Sequence, residues 1–158
     1  MSEDRYTELD RMRFTKNTLS SRLALLAILF DVLFFVSIYK SDVDKYYYTI
    51  LIGGSIIYNL VFLLAAFLCS EGVKNYKISY SWVLIALGIG QIVRIFILPM
   101  NAHNTVNNDV TVMGDAQFIR LIVYLILSAL SLFASAYFNI VRSRALTKHI
   151  AALEAQQA

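Results

Sequence analysis

Apolar residues dominate four stretches of this chain, residues 20–38, 48–68, 79–98 and 121–140, and the charged residues gather almost entirely between them. Each stretch is close to the ~20 residues that an α-helix needs to cross about 30 Å of hydrocarbon, so each predicts a transmembrane helix. Helices suit that medium because they satisfy their backbone donors and acceptors internally where no water is present. The connections 40–47 and 69–78 are short, which keeps consecutive helices side by side and antiparallel. The expected fold is therefore an all-α integral membrane protein, with four transmembrane helices in an up-down antiparallel bundle. Residues 20–140 form its membrane domain, residues 1–19 an N-terminal segment and residues 141–158 a C-terminal tail.

Charge orients the bundle. Arg5, Arg11, Arg13, Lys16 and Arg22 precede or open the first span, Lys74 and Lys77 lie in the second connection, and Arg142, Arg144 and Lys148 follow the last span. Only Lys40, Lys45 and Arg120 fall on the opposite side, and Arg94 lies within a span. Ten cations against three place both termini and the second connection in the cytoplasm. The net charge of +3 fits attraction to an anionic inner leaflet, most simply that of the plasma membrane, better than it fits nucleic acid. No array of basic and aromatic residues suggests a DNA or RNA surface. The first span is expected to stay in the chain as a signal anchor. Glu3, Asp4, Glu8 and Asp10 interrupt the segment before it, and no small-residue cleavage pattern follows it.

Composition closes off other classes. With 58% hydrophobic and 16% charged residues, the chain is too apolar for water-facing helix surfaces, and four spans leave no room for a soluble domain. The one proline, Pro99, sits where it stops the third span. A single cysteine, Cys69, forms no internal disulfide, and His103 and His149 fall on opposite sides of the expected membrane, too far apart to share a metal or haem. No paired carboxylates, phosphate-binding loop or nucleophile–base arrangement is present, so neither an enzyme nor a cofactor is expected.

Interfacial and terminal features are consistent with this plan. Tyr46, Tyr47 and Tyr48 mark the outer mouth of the second span, and Tyr76, Tyr80 and Trp82 the inner end of the third. Leu146, Ile150 and Leu153 recur at helical spacing, which extends the last helix into the cytoplasm, while Tyr6, Leu9 and Met12 suggest an N-terminal helix on the inner leaflet. Residues 99–120 are the only sizeable outer segment, and their Asn-rich, polar composition predicts a mobile loop.

Candidate function rests on polar residues placed where lipid makes them costly. Asp31 lies about 10 Å and Arg94 about 6 Å from the outer ends of the first and third spans, at ~1.5 Å per helical residue. These two parallel spans put the charges at matching depth. Pairing offsets a cost of at least ~2.5 kcal/mol for an isolated charge at the centre of a membrane helix. Ala24 and Ala27 share the face of Asp31; Ala86 and Gly90 share that of Arg94, with Gln91 beside them; Gly54, Ser55 and Asn59 mark the second span; Tyr124, Ser128, Ser131, Ser135 and Asn139 form a stripe on the fourth. One reading groups Asp31, Gln91, Arg94, Ser55, Asn59 and Ser128 into an intramembrane polar site. Gly54, Gly90, Ser131 and Ser135 then serve helix packing or face a partner, since small residues allow close approach in lipid.

Two functions follow as expectations. The leading one is an accessory, assembly or regulatory subunit that works by association with another membrane protein or with itself. The alternative is a small oligomeric transporter or channel that uses the Asp31 and Arg94 region, against which stands the lack of a repeated pair of broken helices. The orientation is testable at once. With Cys69 replaced, an impermeant thiol reagent should label a cysteine at position 107 in intact cells and spare one at position 74; the reverse pattern would invert the topology.

Overall fold

The structure, a computed structural model, describes residues 16–38, 46–104, 106–107, 110–111 and 113–157. The N-terminal amphipathic segment, the first connection and the side chains of Tyr46, Tyr47 and Tyr48 lie outside the described residues. Helix α1 covers Thr18–Ile38, α2 Tyr46–Lys74, α3 Ser79–Ile97, a short α4 Pro99–Asn104 and α5 Asp115–Gln157; strands β1 (Val106–Asn107) and β2 (Val110–Thr111) form a minimal antiparallel pair before α5. Four helical segments are long and apolar enough to cross a membrane: Thr18–Ile38, Gly53–Lys74, Ser79–Asn104 and Asp115–Ala155.

Hydrogen bonds between helices fix their relative directions. The amide of Asn17, just before α1, meets the carbonyl of Lys74 at the end of α2, while Ser81 at the start of α3 meets Asn139 late in α5. At the other end Gln117 of α5 reaches the Ser37 carbonyl of α1. Consecutive spans thus run antiparallel, and α5 packs against both α1 and α3 to close a ring of four. The end that gathers Lys74, Lys77 and Arg142 is termed the basic end.

Packing divides between the two ends. Near the basic end Ala24, Ala27, Phe62, Ala66, Val73, Leu84, Leu132 and Ala136 form one buried cluster; at the far end Phe34, Ile38, Leu98, Met113, Leu121 and Leu125 form another. The outside of the ring is apolar instead of wet: Ile57, Leu60, Val61 and Leu64 are 61–66% exposed. Such a surface suits hydrocarbon, where close packing and polar contacts, not water exclusion, hold helices together.

The helix faces refine the sequence reading. On α3 the buried stripe is Ser81, Leu84, Gly88, Gln91 and Arg94, so Ala86 turns outward and Gly88 takes the packing position, with the Phe133 ring 2.7 Å from where its Cβ would lie. On α2 the stripe is Ser55, Asn59, Phe62, Ala66, Cys69 and Val73. Gly54 falls outside that stripe and has open space around it, which excludes it from internal packing. The glycine of α2 that does permit close approach is Gly72, which lies against the ring of Tyr80.

A buried polar network ties the basic end together. Asn17, fully buried, sits at the N-cap of α1, where its Oδ1 lies 3.5 Å from the Ser20 amide and accepts from Arg142 at 3.1 Å. Its Nδ2 donates to Asn139 Oδ1 at 3.1 Å, and Asn139 Nδ2 donates in turn to Ser81 Oγ at 2.7 Å and to the Lys77 carbonyl at 3.2 Å. The α2–α3 turn closes as a Schellman motif, with Lys77 N–H to the Gly72 carbonyl and Tyr76 N–H to the Val73 carbonyl. Tyr76 occupies its left-handed position at φ 58°, a conformation usually left to glycine, and the Ser143 hydroxyl clamps its carbonyl at 2.8 Å.

The segment expected as a mobile loop is partly folded onto the far end. Pro99 opens α4 after the third span stops at Leu98, and Ala102 and Met113 are buried against the far-end core. His103 stacks on Phe118 at 4.3 Å between ring centroids, and its Nδ1 lies 3.2 Å from the Met113 carbonyl. Asn108 and Asp109 lie outside the described residues.

The two α2 glycines separate packing from propensity. Gly72→Ala should lower stability in detergent by about 1–3 kcal/mol, because the new methyl group enters the Tyr80 ring. Gly54→Ala should be neutral or stabilising by up to ~1 kcal/mol. Equal effects in thermal unfolding would contradict the assigned faces.

Candidate functional site

The far-end half of the bundle contains an ion pair almost wholly sealed from its surroundings. Asp31 reaches the interior because it follows Ala24 and Ala27 along the buried stripe of α1, and Arg94 ends the corresponding stripe of α3. Arg94 Nη1 donates to Asp31 Oδ1 at 2.9 Å, and Gln91 Nε2, one turn earlier on α3, donates to the same oxygen at 2.9 Å. Arg94 Nη2 donates to Ser55 Oγ of α2 at 2.7 Å. The guanidinium carbon lies 4.3 Å from the Phe34 ring centroid and 4.9 Å from that of Tyr58, so aromatic faces from α1 and α2 flank the cation. Three helices are locked in register by one arginine.

The remaining sequence candidates separate around this centre. Ser128 of α5 does not join the ion pair; its hydroxyl donates to the Ala27 carbonyl at 3.0 Å, one turn before Asp31. Ser135 likewise binds α5 to α1 by donating to the Ser20 carbonyl at 2.7 Å. Ser131 is buried but returns its proton to the Leu127 carbonyl of its own helix, so it joins no second helix by this bond. Gly90 lies beneath the Tyr58 hydroxyl, 2.8 Å from where a Cβ would stand, and so serves contact within the bundle.

Asn59 has a different position. It is 3% exposed, and neither its Nδ2 nor its Oδ1 has a hydrogen-bond partner among the described residues. Asp31 Oδ2, Gln91 Oε1 and the Tyr58 hydroxyl are also unpartnered. Asp31 and Asn59 line a cavity of about 70 Å³ between α1 and α2, whose rim includes Val32, Ile56 and Leu60 on the lipid-facing surface. A buried amide without partners costs about 1–3 kcal/mol, so this seam is a destabilised spot beside an ion pair whose bonds all fall on Asp31 Oδ1 and leave Oδ2 open.

Two features were not readable as site residues from spacing alone. Phe34 and Tyr58 looked like ordinary span residues, yet they flank Arg94; the signal was their place one turn after Asp31 and one turn after Ser55. Asn17 and Ser81 at the basic end escaped notice because they sit at span limits, where polar residues are common.

No family model matches this chain, and no curated protein or solved structure does so either. The chemistry available at the site is recognition and electrostatic locking, with hydrogen-bonding capacity left over at the α1–α2 seam.

The lock can be measured by a double-mutant cycle. Asp31→Asn and Arg94→Gln should each destabilise the protein by about 3–5 kcal/mol, because each leaves an uncompensated partner. The double change should cost less than the sum by ~0.5–3 kcal/mol. Simple additivity in detergent unfolding would mean that the pair is not coupled.

Proposed function

We propose that this chain is an accessory or assembly subunit of a larger membrane complex, acting by association and not by catalysis, with both termini in the cytoplasm and the plasma membrane as its site. The orientation is supported by the ten cations on the side of the basic end. One observation supports the function above the others: the seam between α1 and α2 carries polar groups that the bundle itself leaves unpartnered, Asn59 foremost, behind a lipid-facing rim. A transmembrane helix of another subunit, presenting a hydroxyl or amide at that depth, would satisfy them and pack against the rim formed by Val32, Ile56 and Leu60.

The transporter reading has less support. Asp31 is engaged by Arg94 and Gln91, and the apolar clusters above and below the pair are filled by Phe34, Phe62, Leu84 and Leu125. It keeps one distinct expectation, flux from the purified chain alone that changes on neutralising Asp31.

Asn59→Leu separates association from folding. In mild detergent the variant should lose a co-purifying membrane subunit by at least about tenfold, or ~1.4 kcal/mol, while its own thermal stability stays level or rises. A solitary wild-type monomer, or full retention of the subunit by Asn59→Leu, would contradict the proposal.

A further inference from the structure

The larger cavity lies at the opposite end of the molecule from the polar seam. It is an open groove of about 390 Å³ between the α2–α3 turn and the stretch of α5 just beyond the apolar surface. This size falls in the range of small-molecule sites. Tyr76 and Ile78 supply one wall; on α5 Ser143 and Thr147 lie between an apolar flank, Leu146 and Ile150, and a basic flank, Arg144 and Lys148. Its lining contains two cations and no carboxylate. The Ser143 hydroxyl, bound to the Tyr76 carbonyl, holds the turn against α5 and keeps the walls in place.

Depth sets the kind of ligand. Ile78 immediately precedes the third span, and Val141, 47% exposed, lies just before the groove residues on α5. Trp82, 66% exposed, stands one turn deeper on α3, at the level where indole rings mark the headgroup region. The groove therefore opens where hydrocarbon gives way to headgroups. Arg144 and Lys148 are four residues apart, one above the other on α5, and are close enough to share one anion. Nearby Lys74 is already paired with Glu71 at 3.1 Å.

We propose that this groove binds an anionic phospholipid. The phosphate sits between Arg144 and Lys148, and an acyl chain runs over Ile78 onto the lipid-facing surface of α3. A zwitterionic lipid carries its own cation and satisfies such a pair less well. An acidic protein segment would match the charge but would leave Ile78, which leads into the apolar third span, unused. This inference is independent of the partner seam and needs only that the chain be membrane-embedded.

Native mass spectrometry of the full-length protein tests it, after equilibration with mixed micelles of phosphatidylglycerol or phosphatidylcholine. The wild type should retain phosphatidylglycerol over phosphatidylcholine, and each of Arg144→Gln and Lys148→Gln should weaken retention roughly five-fold, the effect of ~1 kcal/mol per cation. The conservative Lys148→Arg should retain the lipid, and Arg120→Gln at the far end should have no effect. Free glycerol phosphate and a polyglutamate peptide should fail to displace it. Equal retention of both lipids, an equal loss in Arg120→Gln, or displacement by glycerol phosphate or the peptide would overturn the proposal.

Discussion

Hydrocarbon offers no solvent to a buried polar group, so each such group in this bundle must be answered by another part of the chain or remain costly. Arg94 is where that constraint acts most strongly. Its guanidinium joins Asp31 of α1 and Ser55 of α2 to α3 and lies between the Phe34 and Tyr58 rings. Sliding any of the three helices by one turn, ~5.4 Å, would break these contacts together. Apolar packing in lipid has no comparable register, because one leucine is exchanged for another or for an acyl chain at little cost. The ion pair thus acts as the locating pin of the far-end half.

The basic end solves the same problem with neutral groups. Asn17, Asn139 and Ser81 satisfy one another in a chain of short hydrogen bonds, with Arg142 bound at its rim. Ser128 and Ser135 add α5 to α1 by donating to carbonyls. Each of the four spanning helices is therefore attached at two depths or more by polar contacts, and the long apolar surfaces remain free for lipid. Against this background Asn59 is conspicuous: both halves of its amide lack partners within the described residues. Among the described residues Asn59 is the buried amide with neither end bonded, while Asp31 Oδ2, Gln91 Oε1, the Tyr58 hydroxyl and Ser20 Oγ are single unpartnered atoms.

Much of this was legible in the chain before any coordinates. Four spans emerge from apolar run length, and the Asp31–Arg94 pairing emerges from depth, because two charges at matching levels on parallel helices have few other answers. Face assignment was less secure. A stripe spaced strictly by four residues drifts around a 3.6-residue helix, so Ala86 falls off the face that Gly88 holds; Gly54, grouped with Ser55 and Asn59 by its small size, lies outside the buried stripe of α2, where Gly72 packs instead. Ser128 was drawn into the ion-pair cluster by residue type alone; its bond to the Ala27 carbonyl depends on how α5 is rotated, which spacing within one helix does not reveal. The Asn17 network was missed for a related reason: a polar residue at a span limit looks solvated until its neighbours from three other helices are known. The Asn-rich segment looked unstructured because the apolar anchors that hold it, Ala102 and Met113, are few and isolated in sequence.

Asp31 and Arg94 pair as charged groups inside the bundle, and infrared difference spectroscopy of the lipid-reconstituted protein observes this directly. With Asp31 identified by subtraction of the Asp31→Asn spectrum, the wild type at neutral pH should show the antisymmetric stretch of an ionised carboxylate, and Arg94→Gln should replace it with the carbonyl band of a protonated acid. A protonated Asp31 in the wild type, or a carboxylate band indifferent to the loss of Arg94, would contradict it.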